Sequence, residues 1–415
     1  MSIPAHLDAL IAPDHPARLV WTAIETLDLT KLYAPIKSVA GHPGHPAADP
    51  QVLLALWVFA LSNGVIFARE LDRLCTEHLA YIWLCGGMAV NYHTLSDFRT
   101  HNQEAIDALF VQIIGRLVHA GLVDLATVAQ DGLRLRASAG TSSFHRAATL
   151  DRALGVAREH LARLQATANR QQDDADGSNP PTARQQAARL RAAQEQVARL
   201  EQARQVMTDL QAKADPADRG KLRVSTTDPE ARVMRCSDGG FRPAFNAQLA
   251  AEPAHRIIVG VEASPNGSDM QQAPPMVEQV TTTGEEVETA PPATWLVDGG
   301  FVSPRIVREL ESRKVRLIGP QPTKPSDVMM HNDPPAKVWR EQMATPEAKA
   351  LYKQRGATIE LCNARARKDF GLLQLPVRGL AKVKTFLTLF ALAHNVLDGL
   401  VKLLDCQKVV QSLAP

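Results

Sequence analysis

The chain has 415 residues, 45% of them hydrophobic and 22% charged, and 46 Lys and Arg against 44 Asp and Glu leave a formal charge of +2. That length exceeds one small domain, the composition is that of an ordinary globular protein, and the near-neutral balance excludes binding of nucleic acid through bulk charge alone. Five cysteines without a Cys-x-x-Cys pair argue against a disulfide framework and a zinc knuckle, and the N-terminus lacks the basic-then-apolar pattern of a secretory signal.

Residues 1–125 read as helical. Asp49 before Pro50 is an N-cap with proline at the first helical position, opening "QVLLALWVFALSNG". Two further stretches, "ARELDRLCTEHLAYIWLCGG" and "HTLSDFRTHNQEAIDALFVQIIGRLVHAG", keep helical periodicity and end at glycine. The pattern suits a DNA-reading bundle and a plain helical scaffold equally well. His42 and His45 in "GHPGHP" lack an acidic or Cys partner at ligand spacing, so a rigid turn is expected there.

In "TVAQDGLRLRASAG" a short apolar run stops at Asp131, with Arg134 and Arg136 close behind. A strand ending at Asp131 is expected. Residues 147–220 differ in texture. Leu150, Leu154, Ala157, Leu161, Leu164 and Ala168 form a seam alternating by four and three, which resumes at Leu190, Ala193, Val197, Leu200 and Met207. The polar "QQDDADGSNPP" between them reads as a turn, so two antiparallel helices are expected, either an arm for DNA or dimerisation or an inert insertion.

From about 221 the texture is α/β. "RPAFNAQLA" and "RIIVGVEAS" read as a strand hairpin. "ATWLVD", a helix capped by Ser303–Pro304, and "VRLIG" read as a strand–helix–strand crossover with parallel strands. Thr345–Pro346–Glu347 opens a helix running through "EAKALYKQRGATIELCNARARK". The long apolar "FLTLFALAHNVLDGLVKLL" carries His394, Asn395, Asp398 and Lys402, which suits a buried core helix better than a membrane span.

Three acids stand out by context. Asp131 and Asp298 each close a strand-like run, where α/β folds place ligand chemistry, and Asp298 precedes Gly299–Gly300. Glu360 lies on the late helix, with Gly356, Asn363 and Arg367 on its face. Oxygen ligands from a few carboxylates, with positions open to water and phosphate, are what Mg²⁺ requires. Between residues 340 and 384 ten Lys and Arg face four Asp and Glu, an excess suited to a phosphate backbone. Asp228, before Pro229, reads as a turn or cap residue. Glu262 and Asp269 rank below Asp298 as supporting acids. Arg134 and Arg136 are candidate phosphate contacts, with a structural role equally open.

The motifs in order resemble a bacterial insertion-sequence DDE transposase over nearly the whole chain. "GHPGHPAADPQVLLALWVFALSNGVIFARELDRLC…YIWLCGG…HTLSDFR" is similar to the N-terminal domain of that family, "DGLRLRASAG" to its first catalytic segment, "TDPEARVM…FNAQ" to the opening of its second strand, "LVDGGF" to its second catalytic segment, and "YKQRGATIELCNARAR" to its Tyr-Arg-Glu-Lys element. The resemblance implies an α/β RNase H-like catalytic core of mixed sheet with flanking helices, an N-terminal α-helical domain and an inserted antiparallel helical hairpin. The implied division is 1–125 for the helical, DNA-end-binding domain, 126–146 for the first part of the core, 147–220 for the hairpin and 221–415 for the rest of the core.

It further implies that Asp131, Asp298 and Glu360 are catalytic ligands of Mg²⁺, with Mn²⁺ as a substitute. Tyr352, Arg355, Arg367 and the adjoining Lys368 would contact DNA. The implied activity is cleavage at element ends and strand transfer into target DNA. Its partners are terminal inverted repeats, target DNA and a second copy of the chain when active, in the bacterial cytoplasm at the nucleoid and without a membrane. A metal nuclease on the same fold and a catalytically silent, transposase-derived DNA-binding protein are the rival readings. The chain departs from the family pattern at Leu133 (usually Thr), Phe245 and Phe301 (commonly Tyr), Cys362–Asn363–Ala364 (a Phe-Gly-containing stretch) and Arg367 (Lys).

Overall fold

Asp49 does cap a helix: its side chain accepts from the Gln51 N–H at the start of Pro50–Ser62. That helix is buried on every side from Val52 to Leu61, as an all-apolar sequence requires. In this computed structural model residues 6–36, 47–173, 180–321 and 333–404 are described; His42, His45, most of the polar 171–181 turn and Cys406 lie outside them. The other cysteines, Cys75, Cys85, Cys236 and Cys362, are buried.

The N-terminal region is helical as expected, with α1 (Pro16–Glu25), α2 (Thr30–Tyr33), α3 (Pro50–Ser62), α4 (Ala68–Glu77), α5 (Leu79–Leu84), α6 (Tyr92–His101) and α7 (Gln103–His119). After it come β1 (Thr127–Arg136), β4 (Arg232–Arg235), β5 (Phe241–Ala251), β6 (Ile258–Ser264), β7 (Thr294–Leu296) and β8 (Arg316–Ile318), six strands of one mixed sheet, with β2 (Phe144–His145) and β3 (Val224–Ser225) paired separately. The main order is β4-β5-β1-β7-β8, and β6 also pairs with β5. β5 and β6 form the expected antiparallel hairpin, while β1, β7 and β8 run parallel. The crossover between β7 and β8 carries α11 (Pro304–Ser312), whose N-cap Ser303 accepts from the Ile306 N–H. Between β6 and β7 lies α10 (Ala273–Glu286).

The later helices are α12 (Pro334–Met343), α13 (Pro346–Arg355), α14 (Leu361–Lys368) and α15 (Leu380–Asn395). A π-turn, Gly356–Glu360, joins α13 to α14. Residues Leu380–Leu404 are long and apolar enough to span a membrane, but 67% of that window is buried inside the molecule, with Phe386 and Phe390 fully enclosed. Its polar residues have internal work. Asn395 accepts from the Ile258 N–H at 2.9 Å and donates to the Ile258 carbonyl at 2.7 Å, satisfying the backbone where β6 begins. This is a core helix.

The chain divides into two compact units. One comprises residues 1–135, 246–377 and 381–415; the other comprises 136–245 and 378–380. In the first, Arg99 is buried among α3, α6 and α15. It donates to the carbonyls of Ile66 and Pro376 and lies over the Trp57 and Phe386 rings. Desolvation pushes its pKa down to about 10, still charged at neutral pH.

In the second unit, α8 (Ala147–Asp173) and α9 (Pro180–Lys213) pack on each other. Asp151 pairs with Arg204 and Arg158 with Glu201, so the two run antiparallel. Leu150, Leu154, Ala157, Ala193, Val197, Leu200 and Met207 are buried along the contact, whereas Leu161, Leu164, Ala168 and Leu190 are only half-buried. Ala203, fully buried, joins the same contact. Asp228 serves as a cap: its Oδ1 accepts from the Gly379 N–H while Glu230 accepts from the Leu380 N–H, both at the start of α15.

Candidate active site

Strand β1 does not end at Asp131. It continues to Arg136, because Leu133 and Leu135 are buried and keep the alternation of a strand with one face inside. The expected strand end is nonetheless present in another sense. The parallel pairing of β1 with β7 covers only Thr127–Ala129 against Thr294–Leu296, at a constant offset of 167 residues. The same offset carries Asp131 to Asp298. Each aspartate therefore follows the last paired residue, Ala129 or Leu296, by two positions, at the carboxyl end of the paired segment where α/β sheets place ligand chemistry.

Each aspartate is held by local backbone. Asp131 Oδ1 accepts from the Gly132 N–H at 2.9 Å, and Asp298 Oδ1 accepts from the Gly300 N–H at 2.8 Å. Asp131 Oδ2 accepts from Asn363 Nδ2 at 3.0 Å and lies 3.3 Å from Arg355 Nη2. Burial pushes the Asp131 carboxyl up to about 6. Arg355 opposes that shift, and the neighbouring Asp298 and Asp269 carboxylates add to it.

Glu360 reaches this group through Arg355, whose Nη1 donates to Glu360 Oε1 at 2.8 Å. The π-turn makes the pairing possible. In a regular α-helix five residues turn through about 500°, which puts positions i and i+5 on different faces. An i→i+5 turn brings them back to one side. The result is a nearly buried guanidinium between Asp131 and Glu360, the latter still 59% exposed.

A fourth carboxylate lies behind the first. Asp269 Oδ1 accepts from Asn246 Nδ2 and Gln248 Nε2, each at 2.8 Å, and Oδ2 accepts from Arg134 Nη2 at 2.6 Å. Gln248 is in turn joined to Gln130, and Gln130 to the Trp295 indole, so a buried polar network underlies the junction of β1, β5 and β7. It fits against Gly132 alone: a Cβ there would stand 2.1 Å from Asp269 Oδ1.

The sequence had ranked Asp269 as a supporting acid and placed Asn363 on the Glu360 face without a role. Asn246 and Gln248 were missed. Their signal is two amides at i and i+2 on a strand otherwise buried, which puts both on one face. Of the expected DNA contacts, Arg355 is committed to the acids. Arg134 is paired with Asp269 and the Gly267 carbonyl. Tyr352 and Arg367 are half-exposed, and Lys368 and Arg136 are exposed. The cationic excess of residues 340–384 is partly used internally, since Arg365 pairs with Asp398 and Asp369, and Lys384 with Glu262.

Among the described residues no three His, Cys, Asp or Glu side chains converge closely enough to hold an ion by themselves. The donor set still suits a hard divalent cation that keeps most of its waters, which needs only one or two carboxylates. Among the described residues Asp131, Asp298, Asp269 and Glu360 are matched by two guanidiniums, Arg134 and Arg355, within hydrogen-bond or ion-pair contact. The Asn363 Oδ1 beside them is buried without a hydrogen-bond partner.

Two family models match the chain. Residues 218–396 match the transposase DDE domain, and residues 5–101 match the transposase domain DUF772. Asp298 and Glu360 fall inside the first match, and Asp131 lies ahead of it. No curated protein and no solved structure matches the chain. The order of the two domains, helical transposase region first and DDE domain after, is that of one mobile-element enzyme: the chain belongs to the insertion-sequence DDE transposases.

Proposed function

We propose that the protein cleaves DNA at the ends of its own element and transfers the freed 3′ end into target DNA, with Asp131, Asp298 and Glu360 as the catalytic carboxylates. The observation that carries this reading is that Asp131 on β1 and Asp298 just beyond β7 each follow the last pair of two parallel strands by two residues and interact electrostatically, with Glu360 tied to Asp131 through Arg355. In this reading the sheet and its helices form an RNase H-like core, interrupted by the α8–α9 pair as an inserted hairpin. Residues 1–125 form the domain that recognises terminal inverted repeats, and two copies act together to pair the ends.

Asp131 and Asp298 would hold Mg²⁺, or Mn²⁺ in its place, with Glu360 completing the set. Bound there, the ion supplies Lewis-acid polarisation of the scissile phosphate and stabilises charge on the leaving 3′ oxygen. The protein's own groups do the positioning. Gly132 and Gly300 N–H groups fix the two aspartates, and Arg355 sets the distance between Asp131 and Glu360. Tyr352, Arg367 and Lys368 lie on α13 and α14 flanking Glu360, where they would take the phosphates beside the cleaved bond, with Arg136 as a further contact. Arg134 acts indirectly, by holding Asp269. Asp131 must be ionised to serve as a ligand, so a proton that burial favours on it competes with the metal. No covalent protein–DNA link is required, since water and then the 3′-OH are the nucleophiles.

The test is end cleavage and joining in Mg²⁺ by Asp131→Asn, Asp298→Asn and Glu360→Gln. Loss of both steps in each variant supports the assignment. Undiminished cleavage by any one removes that residue, and cleavage without joining of a pre-cut end would favour a nuclease instead.

A further inference from the structure

Asn363 stands where the resemblance places a Phe-Gly-containing stretch, and the structure gives its amide a polar partner. It follows Glu360 by three residues, on the same helical face, with 6% of its surface exposed. Its Nδ2 donates to Asp131 Oδ2 at 3.0 Å. An ionised carboxylate only accepts, so the amide orientation is fixed by chemistry: the nitrogen, not the oxygen, bonds Asp131. That oxygen is buried and has no donor. Buried amide oxygens are almost always partnered in folded proteins, so an orphan of this kind calls for an occupant. Arg355, which shares Asp131 with Asn363, directs its Nη atoms to Asp131 and Glu360, with its own Nε also unpartnered.

We propose that Asn363 is a further residue of the metal site, holding Asp131 through Nδ2 and offering Oδ1 to the divalent cation or to a water on it. The inference rests on the metal-dependent reading above. A neutral amide oxygen is an ordinary ligand for hard cations and adds no charge to a site already crowded with carboxylates. The ligand class is a hydrated divalent ion of Mg²⁺ or Mn²⁺ type, bound without DNA.

The experiment measures Mn²⁺ binding to the full-length, DNA-free protein by the electron paramagnetic resonance signal of free Mn²⁺. Wild type is compared with Asn363→Ala, Asn363→Asp, Asp131→Asn and Asp298→Asn. Asn363→Ala is expected to weaken binding by about 10- to 100-fold, the usual loss when a group supporting a metal ligand is removed. Asn363→Asp separates the two roles. It no longer donates to Asp131 but keeps an oxygen facing the ion, so affinity within about threefold of wild type, or tighter, is expected from that oxygen.

In cleavage assays Asn363→Ala is expected to need about 10- to 100-fold more metal for half-maximal rate, a shift in metal dependence that a general folding defect would not produce. Unchanged Mn²⁺ affinity in Asn363→Ala overturns the proposal. So does a loss in Asn363→Asp equal to that in Asn363→Ala, since Asn363 would then only hold Asp131. If Asn363→Ala does not fold, the Asn363→Asp result decides alone. Undiminished Mn²⁺ binding by both Asp131→Asn and Asp298→Asn would instead remove the metal-site reading itself.

Discussion

Substituting Gly132 by alanine adds one methyl group at the most constrained point of the site. The new Cβ would lie 2.1 Å from Asp269 Oδ1, 2.7 Å from Gln248 Nε2 and 2.8 Å from Asn246 Oδ1, all inside contact distance. None of these atoms is a loose side-chain end, because Asp269, Asn246 and Gln248 are each at most 6% exposed and bonded to one another. Either the strand shifts or Asp269 turns away from its two amide donors and Arg134. Overpacking alone costs about 1–3 kcal/mol. Displacing a buried carboxylate from its partners adds a cost of the order of 3 kcal/mol. The expected loss is therefore about 4 kcal/mol in urea denaturation, and cleavage should fall with it because Asp131 moves with its neighbour. The double variant Gly132→Ala with Asp269→Ala removes the clash and should recover part of the stability without the activity. A Gly132→Ala protein within about 1 kcal/mol of wild type would refute the reasoning, since the destabilisation expected from overpacking and lost partners would be missing.

Three further outcomes follow from the same contacts. In the metal-free protein, held in chelator, the raised Asp131 pKa means the folded state binds that proton more tightly than the unfolded chain does. Stability is then lost as pH rises from about 4 to above 6, by roughly 2–3 kcal/mol. Asp131→Asn should flatten this slope in pH-dependent denaturation, and an identical slope in the variant would refute the assignment. Arg355→Gln leaves Asp131 and Glu360 without their shared cation and should destabilise the protein by about 3 kcal/mol at neutral pH, a loss read by urea melts; no change would mean the pairing carries no net stabilisation. Asn395→Leu strands the Ile258 N–H and carbonyl inside the core and should cost about 2–4 kcal/mol. A calorimetric midpoint equal to wild type would show that this bond pair is dispensable.

Much of the architecture was legible because it depends on near neighbours in sequence. The Asp49 and Ser303 caps, the helical first region, the β5–β6 hairpin and the parallel crossover through α11 each rest on a local pattern of apolar spacing and cap residues. The π-turn was not legible: "GATIE" has ordinary helical composition, and the pairing of Arg355 with Glu360 and with the distant Asp131 accompanies the turn only in the folded chain. Strand β1 was read too short for a similar reason. Arg134 finds a place for its charge beside the strand only through Asp269, 135 residues away.

The sequence by itself determined the residue types of the proposed site, three carboxylates in a basic context, and roughly where helix and strand lie around them. It also determined the family, through motifs that two family models match. Only the tertiary structure decided which charges face each other. Asp131 meets Asn363 across 232 residues, Asp269 settles behind Gly132, and Arg355 turns inward to the acids. Local propensity is set over a few residues, whereas electrostatic pairing is set by which surfaces lose water together, and that is a property of the folded chain alone.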